Sequence, residues 1–175
     1  MTDAEAKSGS PFWRFSIAFY RQPGVADACI VLQEQSGVDV NLLLFLLWHA
    51  ARVRVFAPAD VSAIEERIGA WREMTVVPLR AVRRALKSPP RLVEAGASEA
   101  FRTRIKAVEL EAERLQQEAM FALASASPLG AASRSSGQAA RASIAAYETM
   151  RGAAFPKPAV ETLLAAFDKL DPKGE

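Results

Sequence analysis

The sequence predicts an all-α fold, a compact bundle of about five to seven helices around a buried central apolar helix. Apolar residues recur at three- and four-residue spacing along most of the chain, as in amphipathic helices, and no segment shows the alternation of a half-buried strand. The chain has 175 residues, of which 50% are hydrophobic and 24% are charged. This length allows one sizeable core and is too short for two ordinary domains.

The first two helices are marked by capping residues and by proline. Ser10 and Pro11 form an N-cap and first-turn pair. The helix that follows carries aromatic residues at helical spacing, namely Phe12, Phe15 and Phe19. Pro23 opens the second helix, and Gly37 supplies the left-handed residue that ends it. Each helix is expected to bury one face.

The third helix is the most apolar part of the chain. Asp39 is placed to cap its N-terminus. The residues from Leu42 to Trp48 are apolar on every face, so we expect other helices to surround this one and to bury it more deeply than any other. The run is far shorter than the roughly 20 apolar residues of a membrane span. The sequence therefore predicts a core helix and no membrane span.

Two further helical segments follow Pro58. The apolar face of the first consists of Val61, Ile64, Ile68 and Trp71. Pro78 either kinks this helix or lies in the first turn of a new one, and we expect a break near Thr75. A long helix capped by Ser98 is then expected to run to about Ala126. Its apolar positions alternate by four and three, as in two helices wrapped together: Phe101, Ile105, Val108, Ala112, Leu115, Ala119 and Ala122.

The composition divides the chain into four parts. Residues 1–9 predict a disordered leader, and residues 10–126 predict the helical bundle domain. Residues 127–137 are rich in serine, glycine and alanine and predict a flexible linker. Residues 138–175 predict a helical C-terminal tail. We expect the bundle domain to fold without the linker and the tail.

The first three helices also resemble a known family. Their sequence is FWRFSIAFYRQPGVADACIVLQEQSGVDVNLLLFLLWHAARV, and the similarity continues through IEERIGAWREMTVVPLRAVRRALK and ELEAERLQQ. These segments, from about Pro11 to Ala119, resemble an uncharacterised bacterial family, a domain of unknown function. The resemblance implies a compact helical domain and supplies no activity, ligand or catalytic residue.

The composition disfavours several classes of function. The net charge of +2 is too small to indicate a nucleic-acid or membrane partner by itself. Cys29 is the only cysteine, which excludes an internal disulfide and a cysteine-based zinc site. The sequence lacks a glycine-rich phosphate loop, a paired-histidine motif and a carboxylate box, so we expect no cofactor and no metal. The first residues lack the apolar core of a signal peptide, which favours a cytoplasmic location.

A weak candidate polar site consists of Cys29, Asn41 and His49. If the second and third helices pack together, the Cys29 thiol and the His49 imidazole lie close enough to form a nucleophile and its base. This arrangement predicts a small hydrolase or a ligand-binding protein. The alternative is that Cys29 is an inert core thiol and that His49 bonds a carbonyl or carboxylate at the end of the apolar run.

The better candidate is a basic surface formed by Arg72, Arg80, Arg83, Arg84 and Lys87. Like charges at helical spacing repel one another and require an anionic neighbour. Residues 72–106 hold nine basic and three acidic residues, a local charge of +6 that the whole-chain value conceals. Two explanations remain: the charges are solvated or paired inside the bundle, or they bind an external partner. The internal partners available are Glu65, Glu66, Glu109, Glu111 and Glu113.

The function that the sequence favours is a non-enzymatic protein-interaction module that presents this basic surface to an acidic protein. Nucleic acid is the second choice of partner, because the basic stripe lacks interleaved aromatic residues for base stacking. The cysteine–histidine hydrolase or ligand-binding protein is the alternative reading. The oligomeric state is left open.

Overall fold

A computed structural model describes residues 9–170. The predicted disordered leader, apart from Gly9, and the last five residues of the predicted tail lie outside the described residues. Within residues 9–170 the all-α prediction is confirmed, with eight α-helices, two of them joined end to end by a π-helical turn, and one very short two-stranded sheet. None of the helices in this range combines the length and the apolar character needed to cross a membrane.

The first three helices begin where the sequence predicts. Helix α1 is Pro11–Tyr20, α2 is Val25–Ser36 and α3 is Val40–Ala50. Ser10 caps α1, because its Oγ accepts a hydrogen bond from the backbone N–H of Trp13 at 3.1 Å. Gly37 ends α2 in the left-handed conformation, with φ of 61°. Asp39 caps α3 by accepting from two backbone N–H groups of its first turn.

Helix α3 is the centre of the molecule, as predicted. Residues 42–48 are each at most 5% exposed. Helix α1 and two later helices, Ala95–Ala126 and Ser136–Arg151, surround α3, so that no side of it faces water.

Residues 58–85 form one continuous helix with a wider turn in its middle. It consists of α4 (Pro58–Trp71), a π-helical turn (Arg72–Val76) and α5 (Val77–Ala85). The break expected near Thr75 is therefore replaced by a π-helical turn, and Pro78 lies in the first turn of α5. Because proline has no N–H and its ring collides with the carbonyl four residues earlier, a wider turn lets the helix continue past it.

Helix α6, Ala95–Ala126, is the longest of the molecule and departs from the prediction in two ways. Its N-cap is Glu94 rather than Ser98, because the Glu94 carboxylate accepts from two backbone N–H groups of the first turn. Most of its predicted apolar seam is exposed, including Phe101, Val108 and Leu115. The buried face of α6 carries instead Ser98, Glu109, Ala112, Gln116, Gln117 and Met120.

The predicted flexible linker is tied to the bundle. Strand β1 (Arg54–Val55) pairs antiparallel with β2 (Ala131–Ala132), a sheet that the sequence did not predict. Beside it, Arg54 Nε donates to the carbonyl of Leu129 at 3.0 Å. The backbone N–H of Ser133 donates to the carbonyl of Val53 at 2.9 Å. Both contacts and the strand pairing hold this segment against the turn that precedes α4.

The last two helices, α7 (Ser136–Arg151) and α8 (Lys157–Phe167), belong to the same core as the rest. Helix α7 packs against α3 and α4, and α8 packs against α2. Together they contribute buried side chains to the central cluster, including Ile144, Tyr147, Leu163, Ala166 and Phe167. Residues on both sides of position 126 therefore fill one hydrophobic core, and on this basis we expect residues 10–126 to need α7 and α8 in order to fold.

Candidate functional site

The predicted basic surface lies on the second half of the 58–85 helix and just beyond it. Arg72 is in the π-helical turn, Arg80, Arg83 and Arg84 are in α5, and Lys87 follows that helix. Helix α5 has no buried residue and packs against α6. The carboxylates of α6 are therefore the available partners of Arg80 and Arg83.

Two of the arginines hold α5 against α6. Arg80 donates from Nε to Glu109 Oε1 at 3.0 Å and from Nη2 to Glu113 Oε1 at 2.7 Å. Arg83 donates to both carboxylate oxygens of Glu109. Burial would raise the pKa of Glu109, but the hydrogen bonds from Arg83 and Arg80 outweigh it and lower that pKa below its ordinary value. Glu109 is thus ionised at neutral pH, and both guanidinium groups are committed to it.

Arg72 belongs to a second network, centred on Asp39. Its Nη1 lies 3.1 Å from Asp39 Oδ2, and its Nη2 lies 2.6 Å from Glu65 Oε1. Gln116 of α6 donates to the same Asp39 oxygen at 2.8 Å, and the backbone N–H of Asp39 donates to the Tyr147 hydroxyl at 2.9 Å. Burial would lower the pKa of Arg72, but the hydrogen bond to Glu65 and the charge of Asp39 raise it. Asp39 therefore joins α3, the π-helical turn, α6 and α7.

The expectation of one exposed basic surface is corrected by these contacts. The side chains of Arg72, Arg80 and Arg83 are only 19–22% exposed, because each reaches a carboxylate on another segment. Of the five predicted residues, Arg84 and Lys87 are exposed, and Arg84 faces a glutamate of α2 at 2.8 Å. Internal ion pairing thus accounts for the three residues nearest the core.

The sequence did contain a signal for this pairing. Glu109 and Glu113 are four residues apart, and side chains at that spacing lie on one face of a helix. They face Arg80 and Arg83, which are three residues apart on the neighbouring helix. Matching the charges of two predicted helices, rather than reading each helix alone, would have indicated the ion pairs.

The exposed surface that remains is the hairpin, defined as residues 77–110, in which α5 and the first part of α6 lie antiparallel. Among residues 77–108 only Ser98 is buried. The hairpin holds seven of the twelve large hydrophobic side chains that are exposed in the described part of the chain. They are Val77, Val82, Leu92, Val93, Phe101, Val108 and Leu110. Leu92, between the two helices, is 97% exposed. Exposed apolar side chains are thus concentrated on this segment of the described chain.

The hairpin also carries cations without acidic partners. It contains eight basic and three acidic residues, a net charge of +5 in a chain whose total is +2. Within residues 9–170, Lys87, Arg91, Arg104 and Lys106 form no ion pair. The Arg104 guanidinium lies 5.4 Å from the centre of the Phe101 ring. These four residues form the unpaired cationic set of the hairpin.

The weak candidate site of Cys29, Asn41 and His49 consists of three buried side chains with separate environments. Asn41 Oδ1 accepts from Gln117 Nε2 at 2.7 Å. The His49 ring makes edge-on contacts with three aromatic rings, and its Nε2 has no hydrogen-bond partner among the described residues. Burial raises the pKa of Cys29 to about 12 and lowers the pKa of His49 to about 4. An enclosed, protonated thiol is not an activated nucleophile, so the geometry gives the hydrolase reading no support.

The fold and its surface define a helical bundle with a charged and partly apolar hairpin. The model of a family described as "protein of unknown function (DUF2390)" matches residues 11–120, from the start of α1 into the second half of α6. The chain belongs to this family, which confirms the resemblance of the first helices, and the matched region includes the whole hairpin. Neither the curated proteins nor the solved structures contain a match to the chain.

Proposed function

We propose that the protein is a non-enzymatic interaction module that binds an acidic protein partner through the hairpin. The observation that carries the proposal is that exposed apolar side chains and unpaired cations occur together on a segment that has no core of its own. By contrast, the arginines nearest the core, Arg72, Arg80 and Arg83, already have carboxylate partners.

The electrostatics of the hairpin favours an anionic partner. The contacts of Arg80 with Glu113 and of Arg83 with Glu109 fix the antiparallel register of α5 and α6. If the register is continued past the end of α5, it pairs Lys87 with Lys106, two cations that form no ion pair with any described residue. Their repulsion is relieved by an acidic surface, which the net charge of +5 also attracts over a distance.

The apolar residues of the hairpin favour a protein over a nucleic acid. Val82, Leu92 and Val93 are aliphatic, and Phe101 is the only aromatic residue between positions 77 and 110. Aliphatic side chains pack into the apolar centre of a protein interface, whereas single-stranded nucleic acids are bound by stacking bases on aromatic rings. An acidic amphipathic segment, with carboxylates beside an apolar stripe, is complementary to both features.

The test compares three forms of the full chain as bait in cells of its source. The first is the wild type, and the second carries Lys87→Glu with Arg91→Glu. The third carries Arg134→Glu with Lys157→Glu, which makes the same change of net charge at exposed positions outside the hairpin. Bound proteins are recovered after nuclease treatment. The affinity of each recovered protein for each purified form of the chain is then measured at low and at high salt.

We expect the wild type and the Arg134/Lys157 form to retain the same acidic partner, and the Lys87/Arg91 form to lose it. Leu92→Ser should weaken the same complex without lowering the melting temperature, since that side chain is 97% exposed. A Lys87/Arg91 form that keeps every partner would refute the proposal. Recovery that disappears on nuclease treatment would instead favour a nucleic acid.

A further inference from the structure

A cleft of about 370 Å³ lies between α1, α3 and α6. Its walls are mainly apolar and aromatic, and they include Trp13, Ile17, Tyr20, Leu44 and Leu110. Small-molecule sites typically occupy clefts of about 300–1,000 Å³ between the helices of bundles, with a few polar groups in an apolar lining. The cleft therefore has the size and composition of a ligand site.

The inner end of the cleft contains polar groups without partners. Ser16 and Gln117 line it, and each is 3% exposed. Gln117 Nε2 donates to Asn41, which fixes the amide and leaves Gln117 Oε1 as an acceptor. Within residues 9–170, neither this oxygen nor Ser16 Oγ has a hydrogen-bond partner. A buried polar atom left unpaired is unfavourable, so a ligand that pairs with both atoms gains free energy on binding.

The exposed part of the cleft lining carries basic side chains. Lys106 lies there, exposed and without an ion pair to any described residue, and the exposed Arg21 lines the same side. Glu113 also lines the cleft, but its Oε1 accepts from Arg80 Nη2 at 2.7 Å, which offsets its charge. An anionic group of a ligand is thus favoured beside Lys106.

We propose that this cleft binds a small hydroxyaryl carboxylate. The ring lies among the apolar walls, the hydroxyl group donates to Gln117 Oε1 and accepts from Ser16 Oγ–H, and the carboxylate pairs with Lys106. The site shares Lys106 and Leu110 with the hairpin surface proposed above, whereas Lys87, Arg91 and Leu92, which test that surface, take no part in it.

The test uses the full chain and three probes that differ by one group each. 4-Hydroxyphenylacetate has the complete set of groups, phenylacetate lacks the hydroxyl, and tyramine replaces the carboxylate by an amine. Binding is measured by calorimetry and by the chemical shifts of backbone amides around Ser16. We expect 4-hydroxyphenylacetate to bind and each of the other probes to bind about tenfold more weakly, as the loss of one hydrogen bond or ion pair predicts.

Variants identify the residues. Ser16→Ala should weaken 4-hydroxyphenylacetate about tenfold and leave phenylacetate unchanged, whereas Lys106→Gln should weaken both acids and leave tyramine unchanged or stronger. Lys157→Gln, at an exposed position of α8, is the control and should change nothing. Lys106 is exposed, so its variant tests the proposal even if Ser16→Ala folds poorly. Equal binding of all three probes, or no binding of any at millimolar concentration, would overturn the proposal and leave a solvated cleft.

Discussion

Lowering the pH from 7.5 to 5.0 is expected to destabilise the protein through His49. His49 is 6% exposed in α3 and is enclosed by edge-on contacts with three aromatic rings. Burial, together with the nearby charges of Arg52 and Arg54, lowers its pKa from the ordinary 6.5 to about 4. A proton on this imidazole would place a charge inside an aromatic cluster.

The sign and size of the effect follow from proton linkage. Because the pKa of His49 is lower in the folded than in the unfolded chain, the unfolded chain takes up the proton first as the pH falls. The contribution of His49 to the free energy of unfolding is fully present above a pH of about 6.5. It decreases as the pH falls toward about 4 and changes no further below that. With these two pKa values, the loss is about 2 kcal/mol between pH 7.5 and 5.0 and about 3 kcal/mol in total.

Urea unfolding followed by tryptophan fluorescence at pH 7.5, 6.25 and 5.0 measures this loss directly. The control is His49→Phe, which keeps an aromatic ring in the cluster and cannot take up a proton. Its stability should be nearly constant across the same range. A wild type that is equally stable at pH 7.5 and 5.0, or a His49→Phe form that loses the same free energy, would show that His49 is not the group responsible.

Three further predictions concern the core and its ion pairs. Leu46→Ala should reduce the free energy of unfolding by about 2–5 kcal/mol in urea titrations, since Leu46 is fully buried, and an unchanged midpoint would contradict that burial. Arg80→Glu should cost about 2–4 kcal/mol because it leaves the Glu109 carboxylate without one of its cations, whereas Arg84→Glu should cost less than about 1 kcal/mol. Equal losses of unfolding free energy for the two variants would contradict the difference in burial between Arg80 and Arg84. Truncation after Ala126 should abolish cooperative melting in calorimetry, and a soluble, cooperatively melting fragment would show that α7 and α8 are dispensable.

The central helix and the N-caps of α1 and α3 were predictable because their signals are local. A run from Leu42 to Trp48 that is apolar on every face has only one stable location, the interior. Ser10 and Asp39 satisfy N–H groups within three residues of themselves, so no knowledge of the rest of the fold is needed to place them. The first half of the bundle follows from such short-range signals.

The long helix shows where hydrophobic spacing is insufficient. Its four–three alternation predicted a buried apolar seam, yet the buried face contains Gln116 and Gln117. Their amides meet Asp39 and Asn41 at the start of α3, in hydrogen bonds of 2.8 and 2.7 Å. The contacts join residues more than 70 positions apart, so periodicity within either helix gives no indication of them.

The role of the C-terminal helices was missed for a related reason. The segment before α7 is short of apolar residues and was taken for a linker, but its backbone pairs with a strand that lies more than 75 positions earlier. Helix α7 then packs with small residues, Ala139, Ala140 and Ala146, whose burial leaves a weak hydrophobic pattern. Close packing of alanines stabilises a helix contact without the large side chains on which pattern recognition depends.

Residues 58–110 carry paired arginines that hold α5 against α6 and exposed cations that would bind the proposed partner. Salt affects these two groups differently, so their effects can be measured separately. Arg80 and Arg83 are about one-fifth exposed and bonded to Glu109, so added salt screens them little. Lys87 and Arg91 are exposed, and salt would strongly screen their attraction for the proposed acidic partner. Raising the salt concentration should therefore dissociate the partner well before it loosens α5 from α6. The exposed valines and leucines of the hairpin remain available to the proposed partner, and each would add roughly 1 kcal/mol when covered.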